Sequence, residues 1–366
     1  MNISTTIGAL KHALQNVLKA IHTKQITAEF CNGQLHIHAC ANGAHAKALV
    51  PSTGTLPNLV FQLTAKLVLN IINNCATETK CSISQDKEDL RLSFGGARIK
   101  LTRYTEKEVD FFKWNSKDEH NEAIGHFESQ NLRKAIMSVS RFYSDDDQRY
   151  QLRGVYFQSI QGRLVLAATN GTRLAEKITN LVVRDFRPMI IGGEYVEALV
   201  SIIKNDEEDV EISIRGGNDA TAVIFSTRNF SIKCPLIGGA YPSYRSIIPA
   251  SDHHVQVNAA ALIAALDRME AVSGNFVHLN FSNEIVTVET PDNDSSEQIQ
   301  AEGDDFTLSL AIQPKLLAIS LAAVTTEKVL IAVCLANGNT SFLTIKNTEI
   351  QDGWLALVSP IKRSKN

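Results

Sequence analysis

Six amphipathic helical windows recur along the chain at near-constant spacing, and this periodicity restricts the fold more than any other feature. They cover residues 6–20, 63–75, 129–142, 193–204, 258–271 and 312–325. The first, third and fifth start 123 to 129 residues apart, and each is followed by a second window 54 to 64 residues downstream. In the first window Leu10, Leu14 and Val17 fall at i, i+4 and i+7, and in the third Leu132, Ile136 and Val139 do the same. That spacing puts each trio on one helical stripe. Between the windows lie alternating stretches of strand type: QLHIHA, LRLSF, ARIKLT, GVYFQSI, RLVLAAT, AVIFST, FSIKCP, VHLNF, EIVTVET and KVLIAV. Turn signals such as Asn32-Gly33, Gly95-Gly96 and Asn170-Gly171 separate them. The chain therefore reads as a threefold repeat of an α+β domain, each with two helices packed on antiparallel sheets. Polar stretches at 114–125 and 249–254 place the boundaries, giving domains 1–120, 121–249 and 250–366.

Charge is distributed unevenly over this pattern. Formal net charge is -3, which argues against a basic arm that grips nucleic acid through bulk charge. The six helical windows nevertheless hold nine basic residues (Lys11, Lys19, Lys66, Arg133, Lys134, Arg141, Lys204, Arg268 and Lys315) against four acidic ones (Glu194, Glu197, Asp267 and Glu270). Basic helices on an acidic protein suit a surface that attracts phosphates on one side only, without reading sequence. The plainer alternative is that these side chains solvate helix faces.

The six cysteines (Cys31, Cys40, Cys75, Cys81, Cys234 and Cys334) form no CxxC pair, so free, mostly buried thiols are expected rather than a disulfide framework or zinc site. No apolar run reaches the roughly 18 residues of a membrane span. The N-terminus lacks a basic segment followed by a small-residue cleavage site, and a cytoplasmic location with no membrane contact is expected.

Three motifs carry a resemblance. Residues 145–175 read DDDQRYQLRGVYFQSIQGRLVLAATNGTRLA, residues 234–249 read CPLIGGAYPSYRSIIP, and residues 92–111 read LSFGGARIKLTRYTEKEVDF. In order and spacing these resemble the beta sliding clamp family, the beta subunit of the bacterial replicative DNA polymerase III. They correspond to its R-Y-x-L-x-G-V/M-x-F strand and A-T-D-G-H-R-L-A hairpin, its G-x-F/Y-P-x-Y-R segment, and the end of its first domain. The resemblance implies the DNA clamp fold: a head-to-tail homodimeric ring of six similar domains, with helices lining the hole. It implies a processivity factor that encircles duplex DNA, is opened by a clamp loader, and tethers the polymerase III alpha subunit and other proteins bearing a clamp-binding motif.

The family's peptide cleft maps onto Arg149, Leu152, Thr169, Gly171, Thr172, Arg173, Leu174, Pro242, Ile247, Val358, Pro360 and Ile361. Leu152, Leu174, Ile247, Val358 and Ile361 are expected to form an apolar floor, with Arg149 and Arg173 at the rim and the prolines stiffening the walls. Asn170 and Thr172 replace an acid and a histidine of the hairpin motif, Ser246 a basic residue, and Ser359 a methionine. These departures fit a divergent second copy. For DNA, the resemblance points to Lys24 and Tyr150, to which Arg133, Lys134 and Arg141 are added from the third helix; Asp145, Asp146 and Asp147 beside Tyr150 are expected to repel phosphate.

Enzyme signatures are missing: the sequence contains no Walker loop, GxGxxG, HExxH or GxSxG, and no cofactor or metal is expected. Ser84-Gln85-Asp86-Lys87 fits SxxK without its companion motifs. His36 and His38 share a strand face, and without a third ligand nearby they read as surface residues rather than a metal pair. The alternative function is a clamp-derived decoy that binds polymerase peptides without encircling DNA.

Overall fold

The computed structural model describes residues 2–55, 59–86, 89–101, 121–203, 208–216, 220–250, 253–282, 284–336, 339–349 and 353–361. The sequence-predicted boundary at 114–125, the end of the 92–111 motif and Lys204 lie wholly or partly outside these residues.

Elements run in chain order. First come β1 (Asn2–Thr6), α1 (Ile7–Ala20), β2 (Gln25–Cys31), β3 (Gln34–Ala41), β4 (Ala44–Val50) and β5 (Thr53–Thr55). Next are β6 (Leu59–Thr64), α2 (Ala65–Ile72), β7 (Lys80–Asp86), β8 (Asp89–Phe94) and β9 (Ala97–Leu101). The middle stretch holds β10 (Asn121–Glu128), α3 (Ser129–Ser140), β11 (Gly154–Ile160), β12 (Arg163–Thr169), β13 (Arg173–Val182) and β14 (Met189–Gly192). It continues with α4 (Gly193–Ile202), β15 (Asp209–Arg215), β16 (Ala222–Ser226) and β17 (Phe230–Ile237). The last stretch holds β18 (His253–Asn258), α5 (Ala259–Ser273), β19 (Val277–Ser282), β20 (Ile285–Glu289), β21 (Ser296–Gly303) and β22 (Leu308–Ile312). It ends with α6 (Pro314–Leu321), β23 (Lys328–Ala336), β24 (Asn339–Asn347) and β25 (Trp354–Val358). A strand, a helix, a run of strands, a second helix and three strands thus recur three times.

Each expected helical window contains a helix, and all ten expected strand stretches are strands. The second and sixth helices are shorter than their windows, because Leu59–Thr64 and Leu308–Ile312 are extended up to the helix start. Local chemistry fixes the ends. The Thr6 hydroxyl accepts from the Ala9 amide at 3.2 Å, and Asn258 Oδ1 accepts from the Ala261 amide at 2.9 Å. Both satisfy a donor that the first helical turn leaves unpaired. Gly274, at φ 75°, closes α5 with its amide on the Glu270 carbonyl.

The chain divides into two compact units, Met1–Leu132 with Glu194–Leu236, and Arg133–Gly193 with Ile237–Asn366. In the first unit, eight antiparallel strands run in the order β10-β15-β16-β17-β4-β3-β2-β6, and a five-stranded sheet in the order β5-β1-β7-β8-β9. α1 packs on β3 and β4, burying Ile7, Leu10, Leu14 and Val17 with Leu35, Ile37, Ala46 and Ala48. The second unit runs β14-β11-β12-β13-β25-β24-β23-β18, and through β18–β21 joins β21-β20-β19-β22. There Ile136 and Val139 are fully buried, and the Trp354 indole donates to the Ser138 carbonyl at 3.0 Å, which ties β25 to α3.

Five described cysteines are free, but only Cys81 and Cys234 are buried; Cys31 and Cys75 are half-buried and Cys40 is exposed, so the expectation of mostly buried thiols fails. Among the described residues, no helix is long and apolar enough to cross a membrane.

Candidate functional site

Most sequence-predicted cleft residues gather around the β12–β13 turn and its pairing with β25, inside the second unit. Asn170 organises the turn: its Oδ1 accepts from the Thr172 amide at 3.0 Å, the Thr172 hydroxyl at 2.9 Å and the Arg173 amide at 2.9 Å. An amide oxygen supplies the acceptor that an aspartate would, which explains how this position tolerates the change of charge. Thr169 is buried and donates its hydroxyl to the Arg173 carbonyl at 2.7 Å. Gly171 sits at φ 92°, and a Cβ there would lie 2.5 Å from a guanidinium nitrogen of Arg149. Glycine is favoured here for its dihedral, while any Cβ would only push the flexible end of Arg149 aside. Arg149 is held by Asp146 at 2.8 Å. Beyond the turn, Arg173 pairs with Val358 and Leu174 with Leu357, and the Ser359 amide donates to the Thr172 carbonyl at 2.9 Å. Pro360 follows, half-buried, and the Ile361 amide donates to Ala311.

The apolar cleft candidates differ in exposure, and one expectation, the place of Arg173, is corrected. Leu152, Leu174 and Val358 are buried at 4%, 2% and 0% exposure, whereas Ile247 and Ile361 are 46% and 37% exposed, open to a ligand. Arg173 is not a rim residue. Strand alternation sends it to the face opposite Leu174. There its guanidinium lies 5.4 Å from the Phe142 ring centre and donates to the Arg141 carbonyl at 2.6 Å. Its Nε and Nη1 are buried without a partner among the described residues, and burial lowers its pKa.

On the Leu174 face lies a cluster that the sequence reading missed. Leu174, Ala167, Leu357 and Tyr244 form an apolar group with Tyr156 and Tyr241 packed against it. Tyr156 and Tyr241 stack at 4.5 Å. The buried Glu176 carboxylate accepts from the Tyr244 hydroxyl at 2.5 Å and from Arg245 Nε at 2.7 Å, while Gln158 donates to the same hydroxyl at 2.6 Å. Burial and the adjacent carboxylate push the Tyr244 phenol well above its usual range. The Tyr-Pro-x-Tyr-Arg segment is thus anchored to β13 by Tyr244 and Arg245 and to β11 by the stacking of Tyr241 on Tyr156. Pro242 is exposed and hands its carbonyl to the Tyr244 amide at 2.7 Å. Alternating Glu176 with Leu174 on β13 was the signal available, a charged residue at an apolar period.

The residues expected to meet DNA fall in both units. Lys24 and Lys134 are exposed and Arg133 is half-buried. Arg141 lies just past α3, where it lines a cleft of about 360 Å³ with Asp267, Glu270 and Lys315. Tyr150 is 54% exposed, its hydroxyl against Gly239. Two of the three aspartates beside Tyr150 are engaged by arginines. Asp146 caps a 3-10 turn at Asp147–Leu152, and its pairing with Arg149 holds its carboxyl below the usual range; Asp147 pairs with Arg153.

His36 and His38 are not surface residues, at 9% and 1% exposure. His38 Nδ1 shares a 2.9 Å hydrogen bond with His45 Nε2, and its Nε2 meets Glu29 Oε2 at 3.1 Å. Burial lowers the pKa of His36 to about 4 and of His45 to about 3, and lowers that of His38. A histidine whose folded pKa is depressed contributes stability above its unfolded value, near 6.5, and loses it as pH falls towards the folded value. Urea unfolding is therefore expected to show about 2 kcal/mol of stability lost per such histidine between pH 7 and pH 5. His45→Gln should flatten that slope, and an unchanged slope would contradict the assignment.

Comparison with known proteins finds one consistent similarity. Residues 126–243 match the model of the DNA polymerase III beta subunit central domain. The beta sliding clamp of Lactococcus lactis is 22% identical, over 96% of this chain and 92% of its own length. That of Pseudomonas aeruginosa is also 22% identical, over 90% and 87%. The chain is similar to beta sliding clamps over nearly its whole length. Its fold is that of solved sliding clamps: the Pseudomonas aeruginosa clamp superposes with a TM-score of 0.88 at 19% identity, covering 99% of this chain and all of the other. The beta chain from Streptococcus pneumoniae gives 0.88 at 18% identity with the same coverage. The Asn170 turn and Glu176 fall inside the matched segment, and the anchor's Tyr244 and Arg245 follow directly after it.

Proposed function

We infer that the chain is a DNA polymerase processivity factor, a sliding clamp that encircles duplex DNA and tethers its partners through a hydrophobic peptide cleft. The observation that carries this reading is the similarity to solved clamps over essentially the whole chain. We read three domains (1–120, 121–249 and 250–366), and two copies of the chain closing a ring. Lys24, Arg133, Lys134, Arg141 and Tyr150 are the candidate contacts with the phosphate backbone, a sequence-independent interaction. Arg149, Leu152, Thr169, Gly171, Thr172, Arg173, Leu174, Pro242, Ile247, Val358, Pro360 and Ile361 are the candidate cleft. Its occupants would be the polymerase III alpha subunit, the clamp loader and other proteins with a clamp-binding motif. The role is topological and assigns no chemistry to the chain; a tethered polymerase meets its template at high effective concentration.

The test is primer extension on circular primed DNA with polymerase and an ATP-driven clamp loader. Product length is expected to rise at least tenfold, and only when loader, ATP and this protein are all present. An unchanged length, with the protein still competing for polymerase peptides, would favour the decoy reading. That alternative loses part of its motive, since Asp146 and Asp147 are engaged by Arg149 and Arg153.

A further inference from the structure

A second polar site lies in the first unit, on the face of the eight-stranded sheet opposite the one that α1 covers. Strand alternation turns Leu35, Ile37, Ala46 and Ala48 towards the helix and leaves His36, His38 and Lys47 on the other face. The register pairs His38 with Lys47 and Lys47 with Ser231, so β3, β4 and β17 contribute to one surface. The turn between β16 and β17 brings Arg228 to it, with the Leu49 amide donating to the Asn229 carbonyl at 2.8 Å. Gln34, His36, Lys47, Ser226, Arg228 and Ser231 line a cleft of about 520 Å³ there.

Three features of this cleft are unusual for a solvated strand end. His36 is only 9% exposed, yet its Nδ1 has no hydrogen-bond partner among the described residues. Lys47 and Arg228 line the same cleft, and neither is in an ion pair among the described residues. Of the nearby acids, Glu29 pairs with His36 across β2 and β3 and has its carboxylate engaged by His38, Glu208 accepts from Asn229, and Glu211 pairs with Ser226 across β15 and β16.

We propose that this cleft binds a phosphoryl dianion through Lys47, Arg228 and His36. Two cations, an imidazole donor and the hydroxyls of Ser226 and Ser231 match the several acceptor oxygens of a phosphate better than the two of a carboxylate. The cleft is wider than a lone phosphate needs, so a phosphomonoester with an attached nucleoside is favoured over the free ion. The proposal is independent of the peptide cleft, which belongs to the other unit.

Calorimetric titration at pH 7 and fixed ionic strength tests it, using inorganic phosphate, a 5′-phosphorylated dinucleotide and the same dinucleotide with a 5′-hydroxyl. The phosphorylated dinucleotide is expected to bind saturably, with inorganic phosphate weaker and the 5′-hydroxyl form at least tenfold weaker. Lys47→Gln with Arg228→Gln, both remote from the hydrophobic core, should weaken the phosphorylated ligand at least tenfold while leaving the circular dichroism spectrum and loader-dependent extension unchanged. Saturable binding by inorganic phosphate alone would assign the site to the free ion and still support it. Equal binding of both dinucleotides, no saturable binding, or affinity untouched by the double variant would overturn it.

Discussion

Replacing Ile247 and Ile361 by alanine is expected to weaken a labelled clamp-motif peptide by about tenfold each, and close to a hundredfold together, while leaving the urea midpoint in place. The two are the apolar cleft candidates that stand exposed, at 46% and 37%, so truncating them opens no cavity in the folded chain. An exposed isoleucine covered by a ligand side chain contributes on the order of 1.4 kcal/mol, which is tenfold in affinity. Leu174→Ala or Val358→Ala would not separate the roles, because those side chains are core and their loss costs about 2–5 kcal/mol of folding stability. Fluorescence anisotropy reads the affinity. Unchanged binding in the double variant would remove these residues from the cleft.

Arg245→Ala is expected to disturb both stability and peptide binding. It leaves the Glu176 carboxylate, 4% exposed in its side chain, with the Tyr244 hydroxyl but without its cation. Stranding a buried charge costs about 3–5 kcal/mol, and with Arg245 itself 42% exposed we expect nearer 2 kcal/mol. Pro242 and Ile247 flank the anchored segment, so peptide affinity should drop with it. Glu176→Gln in the Arg245→Ala background should recover part of the stability, since the amide needs no counter-charge. A double-mutant cycle with no coupling between the two positions would show that the pair does not anchor the segment.

Much of the fold could be read from the chain because its signals are local. The stripe of Leu132, Ile136 and Val139 and the turn at Asn32-Gly33 each declare an element within a few residues, and the structure has both. The cleft was legible as a set of positions and not as a geometry. Arg173 and Leu174 are neighbours in the motif but serve opposite faces of β13, a distinction made only once the partner strand is known. The Glu176–Tyr244–Arg245 anchor joins residues 68 and 69 positions apart, and the pairing of His38 with His45 and Glu29 depends on three strands coming into register. His36 and His38 read as surface residues because no third ligand stands near them in the sequence. Burial with a satisfied partner is the outcome a linear reading cannot anticipate.

The pairing of β4 with β17 has a consequence for how the protein is made. Phe230 meets Ala48 and Lys233 meets His45, so one edge of β4 has no neighbour until nearly two hundred further residues have left the ribosome. At about 5–20 residues per second, that interval lasts roughly ten to forty seconds. Throughout it the nascent first unit presents an open strand edge with apolar Leu49 and Val50 beside it, a template for pairing with another chain. Closure of the sheet is therefore a late event in synthesis, and the yield of correctly assembled protein should respond more to translation speed and holdase chaperones than to the stability of the finished fold.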